Sequence, residues 1–128
     1  MSTDPWAEYD QIALAERESL SADHLRLLAV GSPRTELNNG GFDQYFFNSA
    51  GDLVPIALGA AEEAGATELA CLIRQALELL NVADPTNRTS RQEALRRLEP
   101  GDFQQLDEAY LALEAATDLD GLMRSVMP

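Results

Sequence analysis

The sequence predicts an all-α fold, one compact bundle of about seven helices with a Gly-Gly turn and a short aromatic helix at its centre. Three observations predict it. Apolar residues recur at three- and four-residue spacing along nearly the whole chain, as in helices that bury one stripe. Capping residues and glycine or proline stops punctuate those stripes. No alternating apolar and polar run is long enough for a strand. The 128 residues make a single domain over 1–128, large enough for a core without disulfides or metal.

The elements follow in order. Asp4 and Pro5 read as an N-cap and a first-turn proline, opening a helix expected to reach about Arg17. Ser21 caps a second helix, with Leu20 and Leu25 as a hydrophobic staple. Leu25, Leu28 and Ala29 form its stripe, and Gly31 and Pro33 are expected to end it. After a special segment at Glu36–Ser49, a helix restarts at Leu53, tolerates Pro55 in its first turn, and stops at Gly65. Thr67–Leu80 is the clearest helix, with Leu69, Leu72, Ile73, Ala76, Leu77 and Leu80 on one face. Ser90 and Glu93 are expected to form a capping box for a short helix ending before Pro100. Asp102 is expected to cap the next, which carries Phe103, Leu106, Tyr110 and Leu113. A last short helix spans about Asp120–Met127.

Composition narrows the chemistry. Acidic residues number 22 against 9 basic ones, for a net charge of −13. That field disfavours direct nucleic-acid binding and anionic membranes. Every basic residue is arginine, so Schiff-base and P-loop lysine chemistry is excluded. One His and one Cys rule out a zinc-finger pattern and an internal disulfide. No metal or cofactor is expected. No apolar run is long enough to span a membrane, and the first ten residues are acidic, so the expected location is the cytoplasm. His24 is expected at a surface or boundary, and Trp6 and Tyr9 as anchors of the first helix. The helical wheel puts Cys71, a free thiol, opposite the leucine stripe, exposed or buried in a second contact, and exposure leaves a homodimer through it open.

Glu36–Asn48 is not generic. Phe42, Tyr45, Phe46 and Phe47 crowd into six positions directly after Gly40 and Gly41. The backbone is expected to turn sharply at Asn39–Gly41, where φ > 0 is allowed, and to enter a short helix. Phe42, Tyr45 and Phe46 then share one face, and Gln44 and Asn48 the next. Those amides need partners, such as the turn's own peptide groups or Glu36. A structural reading makes the segment a polar-stapled turn that fixes helix packing. A functional reading makes it a pocket, with Glu36 as acid or base and Asn39, Gln44 and Asn48 as hydrogen-bonders. The structural reading is preferred, because a lone Glu among amides lacks a nucleophile or a second titrating group. No catalytic residue is assigned.

Glu36, Asn39-Gly40-Gly41-Phe42, Gln44-Tyr45-Phe46 and Asn48, followed by Gly51, resemble the signature of the DNA mimic protein 19-like family. This is a bacterial family of domains of unknown function. The resemblance is dense over Glu36–Gly65, and the remainder agrees in length, helical character and acidity. It implies an all-helical, acidic protein. In one branch such a protein occupies the DNA-binding surface of a transcription factor, so the resemblance also implies a role in transcription regulation.

Average acidity does not imitate DNA. Thirteen net charges on a folded surface of roughly 6,700 Å² leave about one per 500 Å². DNA, with a charge every ~1.7 Å of axis, carries about one per 100 Å². A mimic must cluster its acids, and two arginine-free windows permit that, between Arg34 and Arg74 and between Arg97 and Arg124. The expected partner face is Glu62, Glu63 and Glu68 with Asp107, Glu108, Glu114, Asp118 and Asp120. Packed within roughly 1,000 Å², they would approach the density of DNA. Arg88, Arg91, Arg96 and Arg97 are expected away from it. The leading expectation is a non-enzymatic, acidic protein-binding module that competes with DNA for a basic DNA-binding protein or binds another basic protein. The alternatives are a small-ligand binder or enzyme using the Glu36–Asn48 turn, and a partner-specific inhibitor or immunity-type protein without DNA mimicry.

Overall fold

A computed structural model describes residues 4–127. Among them lie seven α-helices and two short 3-10 turns, with no strand. The helices are α1 (Pro5–Ala13), α2 (Ala22–Phe47), α3 (Val54–Glu63), α4 (Thr67–Leu80), α5 (Arg88–Arg96), α6 (Gln104–Ala116) and α7 (Leu119–Ser125). The 3-10 turns occupy Arg17–Ser19 and Ser49–Leu53. The fold is a compact all-α bundle. No helix among the described residues is long and apolar enough to cross a membrane.

α2 is the axis, and every helix except α4 packs against it. Its expected stop at Gly31 and Pro33 is corrected: the helix runs on to Phe47. Pro33 removes one helical hydrogen bond, at a cost of about 3 kcal/mol, but burial compensates. Gly31, Ser32 and Pro33 are all buried. At Gly31 a Cβ would lie 2.5 Å from the Tyr9 ring and 3.1 Å from Met123 Cε, so glycine lets α1 and α7 approach α2. The break comes instead at Gly41, with φ 73° and ψ −168°. That region is essentially restricted to glycine. The sharp turn expected at Asn39–Gly41 is therefore located at Gly41. Beyond it Phe42, Tyr45 and Phe46 are fully buried, while Phe47 is exposed. Phe42, Phe46 and Phe103 of the loop before α6 lie with ring centroids 5.8–5.9 Å apart.

Three other boundaries are corrected. α1 stops at Ala13 rather than near Arg17: Leu14 is 94% exposed, so further turns would have had no face to bury. α5 starts at Arg88 with Asn87 as N-cap, which accepts the Ser90 N–H at 2.9 Å; no Ser90–Glu93 box forms. The earlier start carries Arg88, Arg91 and Gln92 to the end of α2. Asp102 does not cap α6. Its carboxylate accepts the Glu99 N–H at 2.9 Å, closing the preceding turn. α4 spans the expected residues and ends on Asn81 in the left-handed conformation.

The remaining single residues are placed as follows. Trp6 Nε1 donates to Asp120 at 3.0 Å, and Tyr9 meets Ser32 at 3.1 Å, which docks α1. His24 is half-buried, 2.9 Å from Glu8. Cys71 is an exposed free thiol.

Candidate functional site

The signature residues converge around the kink. Asn39 donates to Gln44 Oε1 at 3.2 Å, and Gln44 donates to Glu36 Oε2 at 2.6 Å. Asn48 donates to the same Glu36 oxygen at 3.2 Å. The chain of amides thus ends on the Glu36 carboxylate, as expected of the stapled turn. Gly40 lets Gln44 fold back, since a Cβ there would overlap that side chain.

The kink exposes a new helix start. The Phe42 N–H has lost its partner on the preceding turn, and Asp107 of α6 accepts it at 2.9 Å. A Cβ on Gly41 would lie 2.5 Å from Asp107 Oδ2, so glycine is required by space as well as by φ. Asp107 is thus an N-cap delivered from another helix.

The far end of α2 is closed by α5. Helix ends leave carbonyls without partners. Arg91, wholly buried, donates to Phe46 O at 2.8 Å, Asn48 O at 2.9 Å and Pro85 O at 2.8 Å, and pairs with Asp52 at 2.7 Å. Arg88 and Gln92 donate to Phe47 O at 2.9 and 3.0 Å. Gly51 makes room, because a Cβ there would sit 2.8 Å from Arg91 Nε. Sequence reasoning missed Arg91. The available signal was its position one turn before Ala94 and Leu95 and two before Leu98, on the inner stripe of α5.

The eight carboxylates expected on a partner face have varied surroundings. Arg34 gathers Glu114 and Asp120, with Tyr110 also donating to Glu114. Burial alone would lower the Arg34 pKa, but its bonds to Glu114 and Asp120 outweigh that and raise it. Burial likewise opposes the Glu114 charge, yet Arg34 and Tyr110 hold its pKa below the usual carboxylate range. Arg34 depresses Asp120 as well. Glu62 pairs with Arg74 at 3.3 Å, and Glu63 with Arg26 at 2.6 Å. Asp118 pairs with Arg124 at 2.9 Å and caps α7. Asp107 caps Phe42. Glu68 and Glu108 are exposed and form no ion pair among the described residues, Glu108 accepting the Gln104 amide at 3.2 Å. The expectation of arginine-free windows is therefore corrected in space: Arg26, Arg34, Arg74 and Arg124 reach acids within them. Arg88, Arg91, Arg96 and Arg97 pair with none of the eight.

A further group of acids forms no ion pair among the described residues. Burial, then the nearby Asp102, raises the Asp43 pKa. Burial raises Asp107 too, and Asp43 adds to the rise against the Phe42 N–H bond. Asp43, Asp102 and Asp107 thus crowd together beside the kink, with Glu108 adjoining on α6.

These features define an all-helical acidic domain built on a glycine-kinked central helix. A family model described as DMP19-like protein matches residues 18–126. The chain belongs to the DMP19-like protein family. No curated protein and no solved structure matches it.

Proposed function

We propose that this chain is a non-enzymatic, acidic protein-binding module that competes with DNA for a basic DNA-binding protein. Family membership supports the class of role, and the observation that carries the surface is the crowding of Asp43, Asp102 and Asp107 beside the exposed Glu108. These carboxylates form no ion pair among the described residues, and Asp43, Asp102 and Glu108 are exposed, so no arginine at contact distance cancels their charge. The paired acids contribute less, because an arginine at contact distance cancels their field beyond a Debye length of about 8 Å. A partner bound this way associates quickly at low salt and weakly at high salt.

The test begins with capture of partners from the native lysate, followed by displacement of DNA from the captured basic protein. Glu108→Gln and Asp43→Asn are expected to weaken displacement, and Glu63→Gln to change it little. No DNA displacement, or equal effects of all three substitutions, sinks the reading.

A further inference from the structure

The Glu36 carboxylate meets no cation among the described residues. It accepts only the neutral amides of Gln44 and Asn48 and forms no ion pair among the described residues. It is half-buried, so the charge is not simply solvated. It lines a cleft of about 310 Å³ between α1, α2 and the 3-10 turn at Ser49–Leu53. Ser32, Thr35 and Tyr9 bring hydroxyl oxygens to the same cleft, and Leu28, Ala13 and Ala50 bring apolar wall.

Arg17 also lines the cleft. It pairs with Asp52 at 3.1 Å and donates to Ser49 O at 2.8 Å. Asp52 is shared, since Arg91 pairs with it too at 2.7 Å. Arg91 is wholly buried outside the cleft lining and takes part of the Asp52 charge from behind, so Arg17 supplies the positive group on that side of the cleft. The Glu36 side is negative, with hydroxyl acceptors on the same helix four and one residues before it. The cleft therefore carries separated charges of both signs, joined by apolar wall.

We propose that this cleft binds a small zwitterion, a free amino acid whose ammonium meets Glu36 and whose carboxylate meets the remaining N–H donors of Arg17. The size suits such a ligand, being at the lower end of the range for small-molecule sites. The amide chain from Asn39 through Gln44 then has a use beyond packing: it orients a binding carboxylate, as supporting hydrogen bonds do in built sites. This site is separate from the acidic group at Asp43, Asp102 and Asp107, so it stands or falls independently of DNA mimicry.

The test is an NMR titration of the isotopically labelled chain with glycine, β-alanine and 4-aminobutyrate, which scan the spacing of the two charges. n-Butylamine and butyrate are the single-charge controls. At least one zwitterion is expected to shift the amide signals of Ser32–Glu36 and Ser49–Ala50 saturably, with Kd near 1 mM or tighter. Each control should bind roughly tenfold more weakly, the effect of losing about 1.4 kcal/mol of charged contact. Glu36→Gln should weaken binding similarly. If Glu36→Gln fails to fold, Arg17→Gln, at a half-buried position on the other side of the cleft, serves in its place. Absence of saturable shifts with all three zwitterions overturns the proposal, as does equal binding of the controls or unchanged binding in the folded variants.

Discussion

The two ends of the aromatic segment and the acidic side formed by α6 and α7 use polar groups in opposite ways. Around the aromatic segment, one buried arginine and a few amides serve backbone groups and two carboxylates, Asp52 and Glu36. Along α6 and α7, carboxylates outnumber arginines, yet Glu114, Asp118 and Asp120 all hold an arginine. The acid-rich stretch is thus partly neutralised by residues distant in sequence, while the stretch of neutral amides presents an unpaired charge. Net charge along a chain is a poor guide to charge on its surface. Helix ends need caps, and buried arginines need anions, before any carboxylate is free for a partner.

The largest expected effect breaks the kink side. Arg91→Met removes donors from three carbonyls and one of the two arginine partners of Asp52, and should cost about 3–5 kcal/mol in denaturant unfolding. A loss below about 1 kcal/mol would show that water satisfies those carbonyls without the arginine. Next is Gly41→Ala, which forces a Cβ into a glycine-only backbone region and against Asp107. The expected loss is about 1–3 kcal/mol. A double-mutant cycle with Asp107→Ala sharpens the point, since removing the carboxylate relieves the clash but not the strain. Additive losses would argue against the contact.

On the acidic side, Glu114→Gln should cost about 1–2 kcal/mol at neutral pH, with Tyr110 and Arg34 losing a charged acceptor. The sign with pH follows from the depressed pKa of Glu114. The folded state holds the charged form, so its stabilisation is present above the ordinary carboxylate value of about 4.3 and fades as pH falls through the lower folded value. Urea unfolding of both proteins from pH 7 downwards should show the gap closing in acid. A constant gap would assign the loss to packing.

The smallest effect has the opposite sign. Asp43 is raised, so its charge opposes folding once pH rises past its folded value. Asp43→Asn should stabilise the chain at neutral pH by at most about 0.5 kcal/mol. The gain should vanish at low pH, where the carboxyl is protonated in both states. Melting curves at pH 7 and pH 3 decide it, and destabilisation at pH 7 would contradict the crowding of the three aspartates.

Helix content, the α4 stripe, the stapled turn and the family were legible in the sequence, because caps, glycines and apolar periodicity act within a few residues of themselves. The amides of Gln44 and Asn48 could be matched to Glu36 for the same reason: they lie at most twelve residues away on one kinked helix. Tertiary structure alone decided where α2 ends, since Pro33 lies in a buried stretch of it, beside the Gly31 that α1 and α7 approach. It alone decided that Asp107 caps a helix sixty-five residues distant and that Arg91 closes the end of α2 forty-five residues before it. A hydrogen bond depends on where a donor arrives, and for residues that far apart the arrival is set by the packing of whole helices rather than by any local pattern.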